Sequence, residues 1–299
     1  MSITRVNNSL NFEFHNSNFK PSPISKSQAV FDKAMKGLPE EQRHLLFIDR
    51  VHWKTIEPVP EANPYEFDKN EFGYHDAMMR GFEHLRNTIG ERMDADKLCQ
   101  LHDICVDGVF HKQGSKLKPF RKGYAPGFSY GLDWERVSEE AKKELESKKL
   151  LLRLNSPTVE SDYYNFAYLS TCMPTGGCGW GICSRFEKGD ELPIVHQKID
   201  ALFDEYYAAI ESAYSEDDRL AAIVNLCRAL QIFHVFPDGN GRTILAALLS
   251  KLLIENGFSL CILTDFAHFG TGYNSTDEMV NLLKEGMDNY RRVAEQLRG

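Results

Sequence analysis

The chain has 299 residues, of which 42% are hydrophobic and 26% charged, and its formal net charge is −8. This length allows one sizeable domain with an extension or two small domains, and the composition is ordinary for a soluble globular protein. The acidic balance argues against nucleic acid as the main partner, because phosphate backbones bind basic surfaces. The seven cysteines are irregularly spaced. Cys227 and Cys261 stand in apolar runs, which indicates buried free thiols in a reducing compartment.

Residues 1–28 are rich in Ser and Asn and lack apolar periodicity, which predicts a flexible lead. No cationic start is followed by an apolar core, so we expect no cleavable signal peptide. The most apolar stretch, residues 244–254, is too short to span a bilayer and contains Lys251. We therefore expect no membrane span and a cytoplasmic location. A Ser- and Asn-rich lead also suits a bacterial effector that is translocated into a host cell.

Helical periodicity recurs in the first half of the chain, in segments whose apolar residues fall on one stripe. These segments are 26–53, with a break at the Gly-Leu-Pro sequence of 37–39, then 74–89 and 94–105. Residues 107–132 are rich in Gly, Lys and aromatic residues and have no helical period. Ser138 and the carboxylates after it predict a capped helix that ends near Lys149.

The second half begins irregularly and becomes strongly helical. Residues 155–190 are rich in Gly, Thr and Tyr, which predicts loops with short strands. From Pro193 onward a helical pattern dominates, and Ser215 starts a helix that leads directly to His234. Two further helices follow, one closed by a C-cap at residues 256–257 and one over 275–297. The sequence therefore predicts a mainly α fold with a small β-hairpin.

The densest polar chemistry lies in the stretch His-Val-Phe-Pro-Asp-Gly-Asn-Gly-Arg at residues 234–242, between two apolar helices. His234 titrates near neutral pH and can accept a proton from an attacking hydroxyl. Asp238 can hold a Mg²⁺ ion, which needs one or two protein carboxylates and otherwise uses phosphate oxygens and water. These two residues supply a base and a metal ligand.

The end of the same stretch is suited to bind an anion. Gly239, Asn240 and Gly241 stand at a helix start, where backbone N–H groups point outward and glycine lets a phosphate come close. Arg242 adds a guanidinium that can bind phosphate oxygens bidentately. A base, a metal ligand and an anion cradle together predict phosphoryl or nucleotidyl transfer.

The stretch resembles the signature of the Fic (filamentation induced by cAMP) family, H-x-F-x-[DE]-G-N-G-R, at every specified position. The likeness extends to the flanking helices and to the pair Leu101 and His102 in an upstream helix. We accordingly expect a flexible lead over 1–28, an N-terminal helical extension over 29–73 and a Fic-like catalytic domain over 74–297. The resemblance implies a helical bundle with a small β-hairpin flap.

The resemblance also implies a role for each motif residue. His234 would deprotonate a Ser, Thr or Tyr hydroxyl of a target protein, and Asp238 would hold Mg²⁺ on the donor's phosphates. Phe236 would be buried and anchor the loop. The residues implied to bind the phosphates are Gly239, Asn240, Gly241 and Arg242. The expected product is a protein carrying AMP from ATP, whereas other family members transfer UMP, phosphocholine or phosphate.

One position departs from the adenylylating relatives, many of which continue G-N-G-R-x-x-R and use the second arginine to grip the distal phosphates. That position is Leu245 in this chain. Doc-type members also lack the arginine and transfer a phosphate, but they carry Lys where this chain has Gly241. The motif therefore predicts the class of reaction and leaves the transferred group open.

Two further family features have weak counterparts. The inhibitory helix [ST]-x-x-x-E-[GN] is matched best by residues 281–286, but Asn stands first and Leu245 removes the partner of Glu285. We expect Glu285 to be solvated and the protein not to inhibit itself in this way. The candidates for a target-docking flap are residues 171–186 and, alternatively, the segment around 118–129.

Two other interpretations of the sequence explain it less well. A non-catalytic Fic-fold binding protein is the main alternative of another class, and the intact His234 and Asp238 argue against it. Cys178 ahead of Trp180 is similar to the setting of a cysteine nucleophile, although a glycine-rich hairpin tip explains it better.

Two clusters of polar residues have simpler explanations. Cys99, His102 and Cys105 cannot converge on a metal at their helical spacing, so we expect core or satisfied polar residues. The basic cluster predicts a solvated face, with contact to donor phosphates or to an acidic target as the lesser alternative. Its members are Lys116, Lys118, Arg121 and Lys122.

Overall fold

The computed structural model describes residues 27–48, 71–113, 115–124, 129–131, 133–148, 150, 152–153, 167–172, 178–184, 191–264 and 269–297. The predicted lead therefore lies outside the described residues except at its last two positions. Eleven helical segments and two small sheets are given below, and the α-helices and strands are numbered by their order in the described chain.

Helices dominate the described chain, and most begin near the predicted positions. They are α1 (Gln28–Met35), a 3₁₀ helix (Glu40–Leu46), α2 (Tyr74–Asn87), α3 (Ala95–Val106), a short 3₁₀ turn (Trp134–Arg136), α4 (Glu139–Ser147), α5 (Glu191–Ser212), α6 (Glu216–Phe233), a π-helical segment (Arg242–Leu248) that runs into α7 (Leu249–Glu255), and α8 (Thr276–Gln296).

Serine side chains begin three of these helices. Ser138 accepts a hydrogen bond from the Ala141 backbone N–H, as the sequence predicts. Ser215 and Ser275 each form a capping box, in which the serine and an acidic residue three positions later satisfy each other's backbone N–H groups. The predicted starts of α4, α6 and α8 are confirmed.

Helix α6 lies at the centre of the bundle, where it packs against α5, α8 and the π-helical segment. The sequence suggests an apolar stripe on one face, but the second half of the helix is buried all round, including Arg228 and Gln231. A helix covered on every side can hold polar residues only if they are hydrogen-bonded. The helix that leads to His234 is therefore fixed by its surroundings.

Arg228 satisfies this condition by donating hydrogen bonds to four residues. We call Arg228 and these four residues the Arg228 network. Its Nη2 donates to Glu144 Oε2 at 2.7 Å, to Asn225 Oδ1 at 3.0 Å and to Thr276 Oγ1 at 3.2 Å. Its Nη1 donates to the Asn274 carbonyl at 3.0 Å. The network ties α4 and α8 to the side of α6.

Two small sheets accompany the helices. β1 (Glu71–Phe72), β2 (Phe110–Gln113) and β3 (Lys116–Pro119) form an antiparallel sheet in chain order. The second sheet has the order β4-β7-β6-β5. Its strands are β4 (Ser129–Gly131), β5 (Leu152–Arg153), β6 (Ala167–Cys172) and β7 (Cys178–Ser184). The predicted mainly α fold with a β-hairpin is confirmed, with two hairpins, β2–β3 and β6–β7, where one was expected.

Helix α1, within the predicted N-terminal extension, is packed onto the helices that follow it. Phe31 and Met35 of α1 are buried in the common core, and α1 contacts α2 and α7. Cys227 and Cys261 are buried free thiols, as predicted. None of the helices in the described ranges has the length and apolar character needed to cross a membrane.

Candidate functional site

His234 ends helix α6 in a left-handed conformation, with φ 47°. It is the one non-glycine residue with positive φ among the residues that the structure describes. Such a backbone is costly for most side chains and is found preferentially at functional sites. The turn at His234 ends the helix abruptly and leads the chain into the loop of residues 235–241, which we call the motif loop.

The surroundings of His234 keep its side chain neutral. Burial lowers the pKa of His234 to about 4, while a hydrogen bond with the Gln231 backbone and the charge of Asp238 act in the opposite direction. An imidazole with so low a pKa is unprotonated near pH 7. His234 can therefore accept a proton, which is the role that the sequence predicts for it.

Phe236 holds the motif loop to the bundle through a stack of three rings. It is fully buried, and its ring lies parallel to that of His102 at a centroid distance of 3.9 Å. The Tyr124 ring also stacks on Phe236, at a centroid distance of 5.0 Å and an interplanar angle of 11°. Aromatic pairs of this geometry add to the free energy of burial alone. Phe236 thus lies where a loop anchor is expected.

Asn240 closes the motif loop upon itself. Its Nδ2 donates to the Phe236 carbonyl at 2.7 Å, and its Oδ1 accepts from the Phe236 backbone N–H at 3.1 Å. The side chain is buried. This pair of hydrogen bonds makes Asn240 a clamp for the loop, a role that the sequence did not predict. Contact with a phosphate remains a prediction, for which the second amide hydrogen is left.

His102 supports the motif loop from helix α3. Its Nε2 donates to the Asp238 carbonyl at 2.9 Å, and its Nδ1 lies 3.0 Å from Asp103 Oδ1. The side chain is fully buried beneath Phe236. The prediction that His102 is a satisfied polar residue is confirmed, and its partner turns out to be the backbone of the motif itself.

Asp238 faces a residue that the sequence assigned to a solvated face. Its Oδ2 accepts from the Arg121 backbone N–H at 3.1 Å and from Arg121 Nε at 3.2 Å. Arg121 Nη2 also donates to the Pro237 carbonyl at 3.2 Å. Arg121 follows strand β3, so the first sheet reaches the motif loop. The only sequence signal for this contact was the basic cluster of residues 116–122, whose contact with donor phosphates was the lesser alternative.

The donor set at Asp238 suits a cation that arrives with its own ligands. The described residues contain no group of three His, Cys, Asp or Glu side chains that could hold a metal by themselves. Asp238 is 22% exposed and offers one carboxylate. Mg²⁺ commonly binds to one or two carboxylates and completes its shell with substrate phosphates and water. The residues present therefore fit Mg²⁺ bound together with a phosphate-containing donor.

The two glycines of the motif differ in their surroundings. Gly239 has φ 69°, and a Cβ there would lie 2.6 Å from Val106 Cγ1, so this position requires glycine. A Cβ at Gly241 would meet no atom within 4 Å. The first helical hydrogen bond runs from the Thr243 N–H to the Gly239 carbonyl at 3.0 Å, which leaves the N–H groups of residues 240–242 ahead of it. Open space thus lies beside the predicted anion cradle.

Arg242 is held away from solvent by three neighbours. Its guanidinium forms an ion pair with Glu71 of β1, and its Cζ lies 3.9 Å from the Tyr74 ring centroid and 4.7 Å from that of Phe120. The side chain is 14% exposed. A phosphate bound by Arg242 would share the guanidinium with Glu71.

Leu245 and Glu285 lie in contrasting environments. Leu245 is 2% exposed and packs so closely on Gly270 that a Cβ there would lie 2.7 Å from Leu245 Cδ2. The position at which many relatives carry an arginine is therefore part of the core here. Glu285 is exposed on α8, which confirms that it is a solvated helix residue. The absence of self-inhibition stays a prediction.

The two candidate flaps differ in their relation to the motif. The segment around 118–129 contacts it through Phe120 and Arg121. The range 171–186 overlaps the β6–β7 hairpin, but residues 173–177 and the side chains of Cys178 and Trp180 lie outside what the structure describes. The identity of the flap stays a prediction.

Comparison with known proteins adds one relationship. No protein-family model matches the chain. The chain is similar to the phosphocholine transferase AnkX of Legionella pneumophila, with 30% identity over 98 residues. The aligned part is 33% of this chain and 10% of AnkX, so the chain corresponds to a small part of the length of that protein.

Proposed function

We propose that this protein transfers a phosphate-linked group from a nucleotide donor to a Ser, Thr or Tyr hydroxyl of a target protein, and that the group is phosphocholine. The observation that carries the proposal is the motif loop: a neutral His234 at a strained helix end, the Asp238 carboxylate and open space at Gly241. The similarity to a phosphocholine transferase supports the choice of group.

Transfer of phosphocholine to a hydroxyl group requires a base that accepts the hydroxyl proton. The hydroxyl oxygen attacks the phosphorus that carries choline, and His234 takes the hydroxyl proton. The bond between that phosphorus and the bridging oxygen of the donor breaks, and a nucleoside monophosphate leaves with the electron pair. His234 then returns the proton to solvent. A positioned base of this kind accelerates a transfer by about 10²–10⁴-fold.

The phosphates of the donor need compensating charge. The backbone N–H groups of residues 240–242 stand at the helix start, where they would bind a phosphate of the donor. Asp238 would hold Mg²⁺, which supplies electrophilic stabilisation of the phosphate oxygens when it is bound. The donor for phosphocholine transfer is a nucleoside diphosphate-choline, which has no third phosphate. Leu245 in place of an arginine for distal phosphates is compatible with such a donor.

Transfer of AMP from ATP, with UMP as a variant, is the second candidate. The complete G-N-G-R sequence at residues 239–242 favours it. In this reaction the hydroxyl attacks the α-phosphorus and pyrophosphate leaves, with His234 in the same role. Phosphate transfer is a third outcome of the same chemistry. A cytoplasmic place of action, in the cell of origin or in a host cell, remains part of the proposal.

A panel of donors separates these candidates. The purified full chain is incubated with Mg²⁺, a cell lysate and either CDP-choline, ATP or UTP, and modified peptides are identified by mass spectrometry. A gain of about 165 Da marks phosphocholine, about 329 Da AMP and about 80 Da phosphate, since these masses follow from the transferred groups. The expected result is the first. A gain of about 329 Da from ATP alone would favour the second candidate and one of about 80 Da the third. No gain from any donor would refute the transferase.

A substitution of the base provides the matched control. We choose His234→Asn, because Asn tolerates the left-handed backbone better than Ala. It should reduce transfer by about 10²–10⁴-fold without lowering the unfolding midpoint, whereas His84→Ala in the last turn of α2 should leave transfer unchanged. Undiminished transfer by the His234→Asn variant would exclude His234 as the base and favour a non-catalytic binding protein.

A further inference from the structure

Two arginines lie next to the motif loop, and they differ in exposure. Arg242 is 14% exposed, paired with Glu71 and covered by the rings of Tyr74 and Phe120. Arg121 is 67% exposed, although its guanidinium hydrogen-bonds to the motif loop. Moving Arg242 onto a ligand would leave the carboxylate of Glu71, itself only 26% exposed, without this cation. Arg121 is itself exposed, and the cation that accompanies the donor can take its place at Asp238, which is 22% exposed.

The contacts of Arg121 are suited to exchange. Its guanidinium reaches the loop with Nε and Nη2, on Asp238 Oδ2 and the Pro237 carbonyl, although a guanidinium carries five N–H donors. Exposed ion pairs contribute little to stability, so the side chain can leave Asp238 at small cost. A phosphate accepts bidentate hydrogen bonds from a guanidinium and attracts it more strongly than a single carboxylate oxygen does.

The backbone of Arg121 has a separate role. Its N–H donates to the same Asp238 oxygen at 3.1 Å. If the guanidinium moves away, this bond still holds the carboxylate in place. The side chain and the main chain of one residue therefore do different things to Asp238: one neutralises it and the other orients it.

We infer that Arg121 is a donor-binding residue of this site, which holds Asp238 in the donor-free protein and moves its guanidinium onto a phosphate of the donor when the donor binds. The movement exposes Asp238 to the cation that accompanies the donor. This inference rests on the proposed function, because it takes the phosphates of the donor as the ligand. It adds Arg121, which follows strand β3 of the first sheet, to the groups of the motif that are predicted to bind the phosphates.

The inference predicts effects of opposite sign for two ligands. In the donor-free protein the guanidinium competes with a divalent cation for Asp238, so Arg121→Gln should strengthen the binding of Mg²⁺ alone. With the donor present the guanidinium is a phosphate ligand, so the same change should weaken phosphate binding. A residue that merely supports the loop would weaken both.

Calorimetric titration tests the two signs, with MgCl₂ alone and with inorganic pyrophosphate in saturating Mg²⁺ as probes. For Arg121→Gln we expect pyrophosphate affinity to fall by about tenfold or more, the usual loss for a charged phosphate contact, and Mg²⁺ affinity to rise. Arg121→Lys keeps the charge but loses the paired N–H donors of the guanidinium, so its pyrophosphate affinity should lie between those of the wild type and Arg121→Gln. Lys118→Gln is the matched control, since Lys118 is exposed on β3 and the charge change is the same.

The outcomes separate this inference from the proposed function. Pyrophosphate affinity that is equal in the wild type and Arg121→Gln, or absent in both, overturns the inference, and His234-dependent transfer by the wild type would still support the proposed function. A parallel loss of both affinities makes Arg121 a structural support and also overturns it. Conversely, the expected opposite shifts in a protein that transfers no group from any donor would sustain the inference about phosphate binding while the proposed function fails.

Discussion

Helix α6 carries two polar clusters, the Arg228 network along its side and the motif loop at its C-terminal end. In the network the guanidinium of Arg228 is fully buried and held by side chains from three helices. In the motif loop His234 and Asp238 are partly exposed, and Asp238 is paired with the exposed Arg121. The clusters are similarly rich in polar groups. They differ in whether those groups can exchange their partners.

This difference separates a structural cluster from a reactive one. A buried cation with fixed acceptors stabilises one arrangement of helices and cannot bind a ligand without breaking it. A partly exposed pair can be replaced by a ligand at little cost. Polar density alone is therefore a poor sign of function, and the exposure of each pair is a better one. Four predictions test the distinction.

The largest effect is expected in the Arg228 network. Arg228→Met removes the cation and leaves Glu144 without it, which should lower the free energy of unfolding by about 3 kcal/mol or more. The transfer rate per folded molecule should stay unchanged, because the hydrogen bonds of Arg228 run to α4, α8 and the Asn274 carbonyl rather than to the motif loop. Denaturant unfolding and transfer assays on the folded fraction measure both.

The comparison needs an exposed arginine as its control. Arg291→Met, at a side chain that is 60% exposed on α8, should change stability by less than about 0.5 kcal/mol. A folded Arg228→Met protein that lost transfer activity in proportion to its stability would show that the Arg228 network and the motif loop are energetically coupled. The distinction between a structural and a reactive cluster would then be wrong.

Asn240 belongs to the motif loop but is buried and engaged in hydrogen bonds, as Arg228 is. Its replacement should therefore lower both the stability and the transfer rate. Asn240→Ala removes both hydrogen bonds to the Phe236 backbone in a buried setting, at a cost of about 2–3 kcal/mol. Transfer should also fall, because the helix start shifts. Asn240→Asp keeps the acceptor for the Phe236 N–H and loses the donor, so it tests the two bonds separately. A full loss of transfer without loss of stability would show that Asn240 acts on the ligand alone.

The glycine pair gives a smaller and more local test. Gly239→Ala should destabilise the fold by about 1–2 kcal/mol, from positive φ and the contact with Val106. Gly241→Ala has open space at its Cβ and should leave stability unchanged. Its methyl group enters the proposed phosphate site, so donor KM should rise. Equal unfolding midpoints for the two variants would contradict the different roles assigned to the glycines.

The smallest effect is the response to pH. Because the pKa of His234 is lowered to about 4, the base stays neutral as the pH falls from 8 to 5.5, and kcat/KM should change by less than about twofold in that range. Below it the rate should fall as His234 becomes protonated. The same depressed pKa makes the unfolded chain bind more protons below pH 6.5, so stability also declines on acidification.

A pH–rate profile with the folded fraction recorded at each point separates these two effects. NMR titration of the His234 ring in the wild type, with His234→Asn for assignment, measures the pKa directly. An inflection of kcat/KM near pH 6.5 that is absent from the folding signal would show that His234 is solvated during catalysis and that its burial does not set the reaction.

Much of the helical framework could be predicted from the sequence. Three helix starts are predicted correctly from their capping serines, because a cap is a contact between residues three positions apart. These serines are Ser138, Ser215 and Ser275. Gly257, with φ 82°, ends α7 where a C-cap was expected. The motif was recognisable for the same reason: its reactive groups are neighbours in the chain. Because these groups follow one another in the sequence, they predict a class of reaction without knowledge of the fold.

What surrounds the motif was decided only by the tertiary structure. Arg121 lies 117 positions from Asp238, and Glu71 pairs with Arg242 across an even longer separation. The sequence predicts that His102 is a core or satisfied polar residue, but its contact with the Asp238 carbonyl depends on how α3 packs against the motif loop. Local chemistry determines where helices begin and which reactive groups stand together. Packing determines which charges are covered, which stay exposed and which partner each one meets, because burial depends on residues far apart in the chain.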